Sequence, residues 1–272
     1  GKFAEAVRLQ SQNIDALVRV LGPEHPDTVA AMMNIATQYE HIGKYAEAEA
    51  MLLRALGIWR KLGPQHPHAV ATMNNLGNLY RTQGRFAEAH ELLVQTVDGA
   101  RRAWGPEHPN TLMFQRNLAM AASQQGRVRE AETLLSSGLA IASRVLGAEH
   151  PQALKYKMQL GTLLLQTGRI RQAEPLLRSA VAYPETAPDH WRRFVAQSVL
   201  GEALLRSHRV AEAEPLIVEG LRGLRAHAQA LPASFHYTLK DAEERFDQLQ
   251  KAQKAAPEKK PFAPNMPEAK GR

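Results

Sequence analysis

The 272 residues contain no cysteine, which excludes a disulfide framework, a thiol nucleophile and a thiolate metal site. The formal charge is +7, but +3 of it lies in residues 254–272, so the body is charge-mixed and lacks the clustered basic face that nucleic-acid binding requires. No apolar run approaches the roughly 20 residues that span a bilayer, and no signal segment opens the chain. A reducing cytoplasm is therefore the expected compartment. The first residue is Gly1 rather than Met, as in a fragment of a longer polypeptide.

In chain order, the first element is a lone helix over 1–21, and its pattern returns along the rest of the chain. Gly1, Gly43, Gly84, Gly126 and Gly168 open GKF, GKY, GRF, GRV and GRI at intervals of 42, 41, 42 and 42 residues, and a sixth copy, HRV, begins at His208. A fixed period of this size is the signature of stacked structural units. Five residues after each start stand Ala6, Ala48, Ala89, Ala131, Ala173 and Ala213. Ala48, Leu52, Ala55, Trp59 and Leu62 alternate steps of four and three, which predicts an amphipathic helix over Ala46 to Leu62. Met73, Leu76, Gly77 and Tyr80 predict another before the next start glycine. Each unit is thus two helices. In the first helix, Ala36, Gly77, Ala119, Gly161 and Gly201 form a second small-residue column. Small residues there let the two helix axes approach closely.

Units are joined by LGPEHP at Leu21, LGPQHP at Leu62, WGPEHP at Trp104 and LGAEHP at Leu146. The glycine takes the left-handed conformation that ends a helix. The final proline suits the first position of the next helix and keeps the histidine before it out of helical geometry. His25, His66, His108 and His150, with His190 in a weaker copy, are therefore read as turn residues. Equivalent positions in stacked units lie roughly 10 Å apart, too far to share one ion whose ligands each need about 2 Å. Glu5, Glu47, Glu88, Glu130 and Glu212 recur in the first turn of the second helix, where they oppose the helix dipole. There is no P-loop, GxSxG or HExxH. The sequence predicts no catalytic residue, no metal site and no cofactor.

The pattern weakens toward the C-terminus. The aromatic after the start glycine runs Phe3, Tyr45, Phe86, then Val128, Ile170 and Val210. Pro175 and Pro215 fall early in second helices, where a mild kink is expected. The linker AYPETAPDHW around Tyr183 is irregular. Leu239 to Lys254 reads as a charged amphipathic helix, the polar end cap a solenoid needs. The expected division is an array over 1–227, with 1–21 a partial first repeat, a capping region over 228–254 and a disordered Pro/Lys-rich tail over 255–272.

Leu76, Gly77 and Tyr80, followed by Gly84, Phe86 and Ala89, resemble the tetratricopeptide repeat. That repeat usually has a period of about 34; at about 42, each helix gains roughly one turn. The length, the LG-P-E-HP linkers and NNLG or NLA in the first helix resemble the kinesin light chain type of array, which also occurs C-terminal to some bacterial serine/threonine protein kinases. No glycine-rich loop, HRD or DFG is present here. The resemblance covers about 1–227. It implies an all-α, right-handed solenoid with a C-terminal capping helix, acting as a non-catalytic protein-interaction module. The alternative is a regulatory or scaffolding region of a multidomain signalling protein such as a bacterial serine/threonine kinase.

By the same resemblance, the first helices line the concave face. Their groove columns hold Asn34, Asn75, Asn117 and Gln159, beside Asn74 and Arg116 and, a turn later, Asn78. An amide both donates and accepts, so an asparagine ladder can hold the backbone of an extended peptide of any sequence. Arg81, Arg116 and Lys155 add positive charge, which favours an acidic partner. The two-lysine, one-arginine carboxylate clamp of chaperone-binding tetratricopeptide domains is not completed here.

Overall fold

The computed structural model describes residues 2–61, 63, 66–187, 189–231 and 235–255, and among them the only regular structure is helical. α1 (Lys2–Leu21) stands alone. Five pairs come after it: α2 (Pro26–His41) with α3 (Tyr45–Lys61), α4 (Pro67–Thr82) with α5 (Phe86–Trp104), α6 (Pro109–Gln124) with α7 (Val128–Val145), α8 (Pro151–Gln166) with α9 (Ile170–Ala180), and α10 (Arg192–Arg206) with α11 (Val210–Ala226). A 3-10 turn, Ala228–Ala230, leads toward α12 (Tyr237–Ala255). Each helix packs on the next in sequence, and α4, α6, α8 and α10 also touch one another. The first helices therefore form the inner layer of a right-handed α-solenoid and the second helices its outer layer.

Helix starts and stops are local. Proline opens α2, α4, α6 and α8. The histidine before it does more than make a turn. Nδ1 of His25, His108 and His150 accepts from the backbone N–H of Asp27, Asn110 and Gln152 at 3.2, 3.1 and 3.1 Å. The ring thus caps a helix N-terminus that would otherwise leave N–H groups unpaired. His66 makes no such bond; its ring stacks on Trp59 at 5.2 Å.

Within each pair the chain reverses through a start glycine. Gly84 has φ +77°, and Arg85 donates its N–H back to the Tyr80 carbonyl at 2.9 Å, the six-to-one bond of a Schellman turn. The same bond recurs in the sixth copy, from Arg209 to Leu204 at 2.9 Å, but there His208 occupies the left-handed position at φ 60°.

The alanine column is buried throughout Ala48, Ala89, Ala131, Ala173 and Ala213. The facing glycines make room for the branched residue one turn later. A Cβ on Gly77 would lie 2.8 Å from Leu93 Cγ, one on Gly161 2.7 Å from Leu177 Cγ, and one on Gly201 2.4 Å from Ile217 Cγ1. Alanine lets the axes close, and glycine admits the leucine or isoleucine that then fills the contact.

The outer rim is laced by arginines of the start motif. Arg85 bridges Glu88 at 2.6 Å and Glu49 of the previous unit at 2.8 Å; Arg209 does the same with Glu212 at 2.6 Å and Glu174 at 2.7 Å. Such partly exposed pairs contribute only about 0–1 kcal/mol each, so they orient neighbours more than they hold them.

α9 and α11 run on through Pro175 and Pro215, the sixth residue of each. α9 stops at Ala180, and the irregular linker after it buries Tyr183. The end cap begins two residues before the predicted Leu239, packs on α11 and α10, and is tied down by Arg245 to Glu202 at 2.6 Å. The tail expected over 255–272 lies outside the described residues from 256 onward. Among the described residues no helix is long and apolar enough to cross a membrane.

Candidate functional site

Two adjoining cavities open on the inner layer, of about 330 Å³ and about 190 Å³. The larger is walled by three consecutive first helices and by α10. α2 contributes Thr37 and Glu40, α4 contributes Asn75, Asn78 and Arg81, α6 contributes Arg116 and Asn117, and α10 contributes Arg192. The smaller is more apolar, with Met158, Trp191 and Val199 beside Gln159. Phe235, on the approach to α12, lines both.

The amides divide into two groups. Asn117 Nδ2 donates to Asn74 Oδ1 at 2.8 Å, and Asn74 Nδ2 contacts Asn75 Oδ1 at 3.4 Å, so Asn74 and Asn117 spend part of their bonding inside the stack. Asn75 and Asn78 are half-buried on the cavity wall. Gln159 belongs to the smaller cavity, where its Nε2 meets Met120 Sδ at 2.7 Å and its Oε1 is buried without a partner. Asn34 is exposed on α2 and lines neither cavity.

The cations behave differently from a solvated basic stripe. Lys155 lines neither cavity, and its ammonium sits 2.8 Å from Asp189. Asp189 also binds Arg192 Nε at 2.6 Å and the Tyr183 hydroxyl at 2.6 Å. Burial alone would raise the Asp189 carboxyl, but Lys155, Tyr183 and Arg192 hold it well below the carboxylate range. Arg81 and Arg116 are buried, at 5% and 6% exposure. Burial lowers both; for Arg116, like-charged Arg192 adds to it, and its guanidinium falls to about 10. Glu40, on the same wall, is raised by burial although Thr82 Oγ1 lies 3.3 Å away and Arg81 opposes the rise. The cavity therefore carries a net positive wall at neutral pH and bears hydrogen-bonding amides beside it.

Asn75, Asn78, Arg81, Arg116 and Asn117 come together here, on the columns the repeat assigns them. Three contributors carried no periodic signal: Arg192, Asp189 and Phe235. Arg192 and Asp189 sit at the end of the irregular linker, where alignment by repeat breaks down, and Phe235 lies beyond the array.

Tetratricopeptide-repeat family models match residues 1–61, 28–102 and 110–186, and a second such model matches 74–145 and 158–230. Among solved structures, BtubC from P. vanneervenii is 19% identical with a TM-score of 0.70, over 83% of this chain and 92% of that one. A putative kinesin light chain from Podospora anserina, built of nearly identical TPR-like repeats, is 30% identical with a TM-score of 0.60, over 76% and 99%. NprR, solved in complex with its cognate peptide NprX, is 15% identical with a TM-score of 0.62, over 94% and 70%. No curated protein sequence matches the chain.

Proposed function

The chain belongs to the tetratricopeptide-repeat family, and we propose that it is a non-catalytic interaction module that holds an extended, acidic peptide segment of a partner in its concave groove. The observation that carries this is the wall of the larger cavity. Consecutive first helices place Asn75, Asn78, Arg116 and Asn117 on one surface, amides beside cations. The amides suit a peptide backbone and the cations suit acidic side chains. NprR, of the same fold, holds a peptide, which supports the reading without naming a partner for this chain. In this proposal residues 1–227 are the binding array, 228–254 its cap, and Asn34 and Lys155 stand outside the contact surface.

The test starts from a random dodecapeptide display library selected on the whole chain, with affinities then measured by fluorescence anisotropy. Asn75→Ala and Asn78→Ala should each weaken binding by tenfold or less, because one hydrogen bond contributes about 0.5–1.5 kcal/mol and tenfold is about 1.4 kcal/mol. Thr133→Ala, exposed on α7 in the outer layer, should leave it unchanged. Peptides that bind all four proteins alike would move the site away from the groove.

A further inference from the structure

We propose that the larger cavity is a carboxylate-binding pocket in which Arg81, Arg116 and Arg192 together receive one carboxylate of a bound peptide. This rests on the groove reading only in that the carboxylate belongs to a peptide.

Three guanidinium groups, from α4, α6 and α10, line one cavity of about 330 Å³, and each residue is only 5–6% exposed. Their donors are incompletely used. Arg81 Nε, Arg116 Nε, Arg116 Nη1 and Arg192 Nη1 are buried with no hydrogen-bond partner. Among the described residues no carboxylate lies within ion-pair distance of Arg81 or Arg116. Arg192 has Asp189, but Asp189 is shared with Lys155, so one carboxylate serves two cations. The remaining acid on the wall is Glu40, which leaves the lining two positive charges in excess when it is ionised.

A buried charge without a counter-ion is costly, and a stack does not need one here. The repeat makes this plain. The positions equivalent to Arg81 hold, besides Glu40, the uncharged Ser123, Leu165 and Leu205, and those equivalent to Arg116 hold Met33, Asn74, Met158 and Ser198. Packing accepts uncharged residues at both columns. The cations thus answer to a demand other than stacking, and an oxyanion meets it. Guanidinium forks match the two oxygens of a carboxylate. Arg192 is held ready for one: its Nε is fixed by Asp189 and its Cζ lies 4.5 Å from the centroid of the Trp191 ring and 4.7 Å from that of the Phe235 ring. Leu52, Met113 and Phe235 stand beside the cations, an environment for the side chain that accompanies a peptide carboxylate rather than for a free inorganic anion. The carboxylate can be the terminal group of the peptide or an aspartate or glutamate side chain.

The test uses the whole chain and reads the arginine Nε–H resonances by NMR while sodium acetate is added, with sodium chloride at equal ionic strength as the reference. Saturable shifts of Arg81 and Arg116 with acetate are expected. The Arg81 response should need at least tenfold more acetate in R116Q, and the Arg116 response at least tenfold more in R81Q, so that either variant suffices if the other fails to fold. Shifts that grow linearly and match those of chloride overturn the pocket. Saturation by inorganic phosphate but not by acetate overturns its assignment to carboxylates. In a second arm, library-selected peptides are compared as free acids and as C-terminal amides, and with each acidic residue replaced by its amide. Loss of tenfold or more from one of these changes in the wild type, and none in R116Q, supports the pocket and identifies which carboxylate enters it. Peptides indifferent to every change overturn the pocket while leaving the groove reading intact. Acetate saturation with no peptide bound supports the pocket and overturns the groove reading.

Discussion

Replacing Arg116 with methionine should make the folded chain more stable. Arg116 is buried, two of its nitrogens have no hydrogen-bond partner, and the nearby Arg192 repels it. Burial, with that repulsion, brings the guanidinium down from its ordinary value to about 10. At 1.36 kcal/mol per pKa unit, keeping the charge in the folded chain costs about 3 kcal/mol at neutral pH. Methionine retains most of the aliphatic stem and gives up only the charged head. Allowing about 1 kcal/mol for lost contacts, the gain should be about 1–3 kcal/mol, within the range found when buried ions are replaced by apolar residues. The assay is urea unfolding with an unchanged slope. Linkage sets the sign with pH: the folded pKa lies below the unfolded one, so the unfolded chain binds more protons in the window that opens at about pH 10 and closes at the ordinary guanidinium value. The wild-type penalty is complete below that window and disappears as pH rises through it, so the advantage of the variant should be full at pH 7 and shrink above 10. A variant that is less stable at pH 7 by more than about 1 kcal/mol, with the slope unchanged, would refute the view that this charge is uncompensated.

Other substitutions probe the rest of the fold. Ala89→Leu adds volume where α5 closes on α4 and should cost about 1–3 kcal/mol in the same titration; no loss would mean that the column is not a contact. His208→Gly relieves a left-handed residue, and after the extra backbone entropy of glycine the net gain should be about 0.5–1 kcal/mol in chemical unfolding. His108→Ala removes a side-chain cap and should cost about 0.5–2 kcal/mol, while His108→Asn, which keeps an acceptor, should stay within about 0.5 kcal/mol of wild type; equal losses would deny the cap. Asp189→Asn strips Lys155 and Arg192 of their shared carboxylate and should cost about 3 kcal/mol, read as a lower urea midpoint.

The repeat itself was legible without coordinates, because what encodes it is local. A glycine at positive φ, a proline at a helix start and an alanine every unit act on residues a few places away, and the same solution recurs wherever the same residues do. Column alignment therefore carried Asn75, Asn78, Arg81, Arg116 and Asn117 to one surface. Alignment could not show what those side chains meet there. The Asn117–Asn74 bond joins adjacent units, and the pairing of Lys155 with Asp189 depends on a linker that has no period to align. Nor could it show that Arg81 and Arg116 are buried, since burial is the sum of everything around a side chain. Above all, the meeting of α2, α4 and α6 with Arg192 and Phe235 depends on how far each unit turns relative to the last. That rotation is small per unit and set by many packing contacts at once, so it accumulates across the array. Only the tertiary structure decided which distant residues face one another across the groove, and hence that the basic wall closes into a pocket.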